Sequence, residues 1–423
     1  MTRHRILFLM LLFVSSAASA APHAVAHKER GIAGRYLVTL DDRQTPDAHA
    51  AAAALTRAHG GRIRRVWESA VRGFSLDATA EEAALIAQSA NVMSVEEDEI
   101  VPPQQTATCA QTTSRCADGK LPWQLDRIDQ WSLPLDGKYW HITPQGRGAV
   151  VFILDSGILA SHSEFNDGNG RSRVLPGVDF VNDGNGTNDC YSHGTYVASL
   201  AVGRTAGAAR DAKVVPVRIG DCTGYTTIER LVDGFSWVKD NFRGYSLYSV
   251  ANLSYRSGVS TILTTASNNL AAAGVIVTIG AGNDSGNACN YSPANSHGRG
   301  VVVVAASTRN DFAASSTNQG MCVSVFAPGE GVGGDAYSYD GLNCNPGWNG
   351  TSVAAPLVAG IFAMYWSNHP TLSSFVAINQ VLGGSTVGQL HLASTSTSPN
   401  LLIANPYDPW MSCDVTAPPP DVR

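Results

Sequence analysis

The stretch Ala149-Val150-Val151-Phe152-Ile153-Leu154-Asp155-Ser156-Gly157 has no polar residue before Asp155. A strand with one face in water alternates polar and apolar side chains. This one has no wet face, so it belongs in a sheet covered on both sides. Comparable runs recur at 214–219, 248–254, 274–279 and 301–306, with helical stretches between them at 227–242 and 261–273. Strands alternating with helices predict an α/β domain with a mainly parallel sheet. In such sheets the crevice lies beyond the carboxyl ends of the strands, where Asp155 falls.

Before residue 120 the pattern is different. Residues 34–40, 71–76 and 92–95 read as strands and 48–59 and 80–89 as helices, a small α+β unit without cysteine. It ends in Glu96-Glu97-Asp98-Glu99-Ile100-Val101 and passes into Pro102-Pro103-Gln104-Gln105, a linker by composition. Met1 to Ala20 has a basic start (Arg3, His4, Arg5), an apolar block from Ile6 to Val14 and small residues at Ala18-Ser19-Ala20. That block is too short to span a bilayer and reads as a secretory signal. The expected organisation is a signal over 1–20, a small domain over 21–105 and a larger domain with a Pro-rich tail over 106–423.

Composition agrees with export. All eight cysteines lie beyond residue 100, which suits disulfides in an oxidising compartment. Charged residues are 15%, hydrophobic residues 44%, and there are 41 glycines, as in a compact, turn-rich protein. The net charge of −6 comes with no basic patch, so neither nucleic acid nor an anionic membrane is an expected partner. A secreted, extracellular monomer is expected. The sequence has no His-Glu-x-x-His, phosphate-binding Gly-x-x-x-x-Gly-Lys-Ser/Thr or Cys-x-x-Cys to argue for metal or nucleotide chemistry.

One serine is placed as a nucleophile. In Asn349-Gly350-Thr351-Ser352-Val353-Ala354-Ala355-Pro356 a glycine turn leads into an apolar run continuing through Val358, Ile361, Phe362 and Tyr365. Ser352 therefore stands at a helix N-terminus, where backbone N–H groups without intrahelical partners face developing negative charge. Pro356 fits only near the start of such a helix. A serine needs a base, and the base needs an orienting group. His193 opens an apolar helix in Ser192-His193-Gly194-Thr195, and Asp155 ends a strand.

Asp155, His193 and Ser352, in that order, resemble the subtilisin-like serine proteases. Ile153-Leu154-Asp155-Ser156-Gly157-Ile158, His193-Gly194-Thr195 and Gly350-Thr351-Ser352 carry the resemblance, together with Gly280-Ala281-Gly282-Asn283-Asp284, similar to the family's oxyanion segment. Pro122-Trp123-Gln124-Leu125-Asp126-Arg127-Ile128 resembles the start of the mature enzyme, the first domain resembles the inhibitory propeptide (I9 type), and the proteinase K-like branch is the most similar. The resemblance implies a three-layer subtilisin-like fold and a secreted endopeptidase made as a self-processing zymogen. Protein or peptide substrates and the chain's own propeptide would be its partners. In such an enzyme Asp155 would orient His193, His193 would activate Ser352, and Asn283 would stabilise the oxyanion. No cofactor is required and no metal takes part in catalysis.

It also implies disulfides Cys190–Cys222 and Cys289–Cys322, leaving Cys109, Cys116, Cys344 and Cys413. The substrate would lie extended between one segment around Gly224 and Tyr225 and another at Ser254, Tyr255 and Arg256, near Gly282. Tyr225, Tyr255 and Arg256 are expected to narrow that cleft, with Arg256 favouring acidic or polar side chains. Structural calcium is usual in the branch, but Ser324 stands where a ligand aspartate is usual, leaving the loops at Asp167 and Asp183 as other places for it. Ser192, Tyr196, Val353 and Leu357 replace the family's Gly, His, Met and His. Their presence leaves a second reading, a secreted pseudo-protease that binds peptides or partners. Sequons at Asn185 and Asn290 are the candidate glycan sites; those at Asn252, Asn283 and Asn349 fall in active-site segments.

Overall fold

The computed structural model describes residues 24–103, 121–332 and 348–405. The signal segment, Gln104-Gln105, Cys109, Cys116, Cys344, Cys413 and the tail after Thr416 lie outside the described residues.

The first lobe comprises β1 (Gly31–Leu40), α1 (Ala48–His59), β2 (Arg62–Trp67), β3 (Gly73–Asp77), α2 (Ala80–Ile86) and β4 (Val92–Val101). Its strands pair antiparallel in the order β2-β3-β1-β4. Asp47 caps α1 by accepting the Ala50 N–H (2.8 Å), and Thr79 and Glu82 form a reciprocal capping box at α2. Helix α1 presses Ala48, Ala52 and Leu55, and α2 Ala83 and Ile86, into the core that holds Val38, Phe74 and Leu76 of the sheet. Strand β2 was not anticipated, because Arg-Ile-Arg-Arg-Val-Trp carries too much charge for a half-buried strand read in isolation. Strand β4 runs on to Val101, through the acidic stretch that reads as a lobe terminus.

The second lobe has α3 (Trp123–Arg127), β5 (Val150–Asp155), β6 (Val178–Asp179), α4 (His193–Val202), β7 (Lys213–Arg218), β8 (Thr226–Thr227), α5 (Ile228–Tyr245) and β9 (Ser249–Leu253). It continues with α6 (Thr261–Ala272), β10 (Ile276–Gly280), β11 (Val301–Ser307), β12 (Val325–Pro328), α7 (Thr351–Asn368), α8 (Ser374–Gly383), β13 (Thr386–Val387) and β14 (Leu401–Leu402). Nine strands of the described residues form one sheet in the order β13-β14-β12-β11-β10-β9-β5-β7-β6, parallel except where β13 meets β14. Alternation along β5 explains the absence of polar residues. Val151 and Ile153 join the core beneath α4 and α7, whereas Val150, Phe152 and Leu154 join the core beneath α5 and α6. The result is the expected α/β three-layer arrangement.

The lobes share one edge. Ile100 pairs with Thr227 and Val101 with Thr226, so β4 carries the end of the first lobe onto the second. Two carboxylates of β4 cap helices across the boundary. Asp98 accepts the Glu229 N–H at the start of α5, and Glu96 accepts the Ile262 N–H at the start of α6, each at 3.0 Å. Helix N-termini have unpaired N–H groups and a positive dipole end, so carboxylates suit them. The charges of β2 find their purpose here. Arg64 makes two bonds to Glu229 (3.0 and 3.3 Å), and the Trp67 indole donates to Asp233 (2.6 Å).

Candidate active site

Strand β5 ends at Asp155, whose carboxylate accepts the Ser156 N–H (2.7 Å) and faces His193 Nδ1 at 2.7 Å, with both side chains fully buried. The turn before His193 is built by a group that sequence reading missed. Asp189 accepts from the N–H groups of Tyr191, Ser192 and Thr195 (2.9, 2.8 and 2.8 Å) and from the hydroxyls of Ser156 and Thr195 (2.9 and 2.6 Å). It ties the start of α4 to the end of β5 and so sets the imidazole against its carboxylate. An aspartate four residues before a helix-opening histidine was the available signal. Ser192 takes a left-handed conformation (φ 80°), which costs a non-glycine residue about 1 kcal/mol.

Ser352 occupies the first turn of α7, after Gly350 at φ 132°. A side chain on Gly350 would meet Asn283 Nδ2 at 2.7 Å, so the glycine lets Asn283 approach. Asn283 Oδ1 accepts the Thr351 N–H (2.8 Å), and the Thr351 hydroxyl accepts the Gly282 N–H (3.1 Å). Pro356 has no N–H to give the carbonyl four residues back, which is that of Ser352. Ser254 replaces that donor from the neighbouring strand end. Its hydroxyl donates to the Ser352 carbonyl (3.1 Å) and accepts from Asn252 Nδ2 (3.1 Å). The polar atoms left over are informative: Ser352 Oγ and His193 Nε2 are both buried and make no hydrogen bond. Leaving such atoms unpaired costs about 1–3 kcal/mol each, so the fold preserves them at a price in stability.

The aromatic surroundings of His193 are Trp348, 5.7 Å between ring centres, and Tyr255, edge-on at 6.2 Å. Tyr196 stacks on Trp348 at 4.6 Å, and its hydroxyl donates to the Val332 carbonyl, which accounts for the histidine-to-tyrosine departure as packing. One expectation needs correcting. Tyr255 does not narrow the cleft mouth; it is 1% exposed and donates its hydroxyl to the Gly224 carbonyl (3.0 Å), supporting the floor between the two cleft segments. Its ring fits the apolar core, and one acceptor satisfies its single polar atom. Burial, with Asp155 nearby, pushes the phenol well above its ordinary range, so it stays neutral. Tyr225 is 43% exposed, and Arg256 lies across Gly282, paired with Asp284.

The chain joins Cys190 to Cys222 and Cys289 to Cys322. Ser324 Oγ accepts the Val303 N–H (3.0 Å), so it serves the backbone. Asp183 is not open to a cation as expected, since Arg218 donates to both its oxygens at 2.7 Å and holds its carboxyl far below the usual range. Asp167 turns on itself, accepting the N–H groups of Asn169 and Arg171 (2.8 Å each). A different acidic group stands out. Asp126 accepts the Asp136 and Gly137 N–H groups, while buried Asp129 keeps one oxygen unpaired and is pushed up to about 7 by burial, with Asp126 and Asp136 adding repulsion. Its Asp-x-x-Asp-Gln spacing was legible in the sequence and was overlooked.

Residues 146–393 match the subtilase family (peptidase S8), and residues 35–104 match peptidase inhibitor I9. An extracellular serine proteinase of Thermus sp. (strain Rt41A) is 33% identical over 96% of this chain and 100% of its own length. A cuticle-degrading serine protease of Arthrobotrys oligospora (strain ATCC 24927 / CBS 115.81 / DSM 1491) is 34% identical over 83% of this chain and 82% of its own. The crystal structure of a cold adapted subtilisin-like serine proteinase superposes with a TM-score of 0.61 at 34% identity, covering 68% of this chain and 100% of that one. With both segments matched by these family models and a relative of this identity covered over its whole length, the chain belongs to the subtilase family of serine proteases.

Proposed function

We propose that this chain is a secreted serine endopeptidase that uses Asp155, His193 and Ser352 and is made as a zymogen that processes itself. The buried Asp155–His193 contact of 2.7 Å, next to two unpaired buried atoms on His193 and Ser352, carries the reading. Asp155 holds the proton on Nδ1 and leaves Nε2 as the base. As a peptide carbonyl seats, Ser352 Oγ closes on Nε2, gives up its proton and attacks, and His193 returns that proton to the leaving amine. Water then repeats the sequence on the acyl-enzyme. The carbonyl oxygen, negative in the tetrahedral intermediate, is received by Asn283 and the first-turn N–H groups of α7. The first lobe is cut from the second near residue 105 and acts as the inhibitor for as long as it stays docked.

No cofactor enters this chemistry. Calcium sites are common in the family; among the described residues Asp126, Asp129 and Asp136 do not gather their carboxylates into one ligand set, and a cation beside the unpaired oxygen of buried Asp129 would serve stability alone. Secretion is supported by the extracellular relatives, and no helix among the described residues is long and apolar enough to cross a membrane.

Ser352→Ala tests the reading. Hydrolysis of casein should fall about 10⁴-fold or more, and the variant should keep its first lobe covalently attached while wild type loses it. A variant that matures normally in a protease-deficient host would overturn self-processing. Wild type that binds peptides without cutting casein would favour the pseudo-protease.

A further inference from the structure

We propose that Arg256 determines specificity beside Ser352, selecting a hydrogen-bond-accepting substrate side chain, glutamine above all, just before the scissile bond. The proposal rests on the serine-protease reading and on substrate lying extended along the two cleft segments.

Position comes first. Ser254, two residues before Arg256, bonds to the Ser352 carbonyl, and Gly282 immediately precedes Asn283. Arg256 spans the space between these two walls: a Cβ placed on Gly282 would lie 3.0 Å from its Cδ and 3.2 Å from its Nε. A substrate side chain entering beside the nucleophile therefore meets Arg256 in place of an open apolar slot.

Chemistry follows from how the guanidinium is held. Nη2 pairs with Asp284, and the group lies over the Tyr291 ring at 4.1 Å, so its charge is balanced and its face covered. Nε is buried and donates to no acceptor. A site with a buried, unanswered donor discriminates strongly in favour of ligands that answer it. A carboxamide oxygen does so without adding charge to an already neutral Arg–Asp pair; a carboxylate does so with an excess negative charge, and a lysine or arginine adds repulsion. The chain carries its own example. Strand β4 leads into the cleft through the pairing of Val101 with Thr226, and the sequence that follows is Pro102-Pro103-Gln104-Gln105.

The test is kcat/KM for peptides that differ only at the residue before the scissile bond, with Gln, Glu, Leu or Lys there. Wild type should prefer Gln to Leu by about tenfold or more, with Lys poorest. Arg256→Gly should reverse Gln and Leu by opening the slot. Arg256→Met, which keeps bulk over Tyr291 but loses the donor, should also lose the preference for Gln, separating hydrogen bonding from shape. Asp284→Asn, by unbalancing the guanidinium charge, should move the preference from Gln toward Glu. Casein hydrolysis by wild type with the same rank order in Arg256→Gly and Arg256→Met, or Leu preferred to Gln in wild type, overturns the role of Arg256 alone. Wild type that cleaves neither the peptides nor casein sinks the protease reading and this inference with it.

Discussion

The two lobes hold themselves together by different physics. Among the described residues, the second packs apolar layers on both faces of a nine-stranded sheet and ties its surface loops with the disulfides Cys190–Cys222 and Cys289–Cys322. The first has one modest core, and its described residues include no cysteine. Where the lobes meet, carboxylates cap helices and arginines pair with acids. An apolar, cross-linked body is insensitive to pH and sensitive to reductant. The contact between the lobes adds buried carboxylates to an apolar seam of Leu37, Trp67, Val71 and Val101 against α5 and α6, so it responds to pH more than the body does, which suits the release that the proposed processing requires.

Disulfides offer the largest way to break the contrast. Cys190 and Cys222 are separated by 32 residues, and closing such a loop stabilises by roughly 3–4 kcal/mol in the chain-entropy view. Replacing both with serine should lower the melting temperature of the second lobe by several degrees and loosen the segment before His193, read as a loss of kcat. An unchanged melting curve would mean that the bridge is dispensable.

Acidity should act on the joint. Burial pushes Asp98 and Asp233 up to about 6, against an ordinary value near 3.9 once the lobes separate. The docked state therefore binds more protons between about pH 4 and 6. Its advantage is present at the acid end, declines as pH rises through 6, and changes no further above that. Glu229, whose burial is outweighed by hydrogen bonds from Arg64 and Ser75, is held low and opposes this trend only at the acid end of the range. Retention of the first lobe after processing, followed by size-exclusion chromatography, should weaken roughly tenfold or more from pH 4.5 to 6.5. Asp98→Asn keeps an acceptor for the Glu229 N–H and should flatten part of that slope. Retention that strengthens with pH would contradict the sign.

The smallest effect sharpens the second lobe. Ser192→Gly should relieve the left-handed strain before His193 and stabilise by up to about 1 kcal/mol, read as a small rise in melting temperature. Destabilisation would show that the Ser192 side chain makes up for its backbone.

Much of the site was legible because its parts are local. A strand covered on both faces must be apolar throughout, so Val150–Asp155 was readable, and a serine or histidine opening an apolar helix announces itself within a few residues. Strand β2 was missed because Arg64 and Arg65 find acidic partners on α5, more than a hundred residues away. Asp189 was missed because the bond that ties it to β5, from Ser156, spans 33 residues, and Tyr255 was misplaced because burial depends on what covers a side chain.

The amino-acid order by itself determined the alternation of strands and helices and the acidic end of the first lobe, and it singled out Asp155, His193, Ser352 and Asn283 as candidates, since periodicity and motif are properties of neighbours in the chain. Only the tertiary structure decided that Ser254 replaces the donor Pro356 lacks, that Glu96 and Asp98 cap helices of the other lobe, and that Arg256 pairs with Asp284 across Gly282. Each of these joins groups far apart in sequence, and a hydrogen bond or ion pair depends on distance in space, which no local pattern encodes.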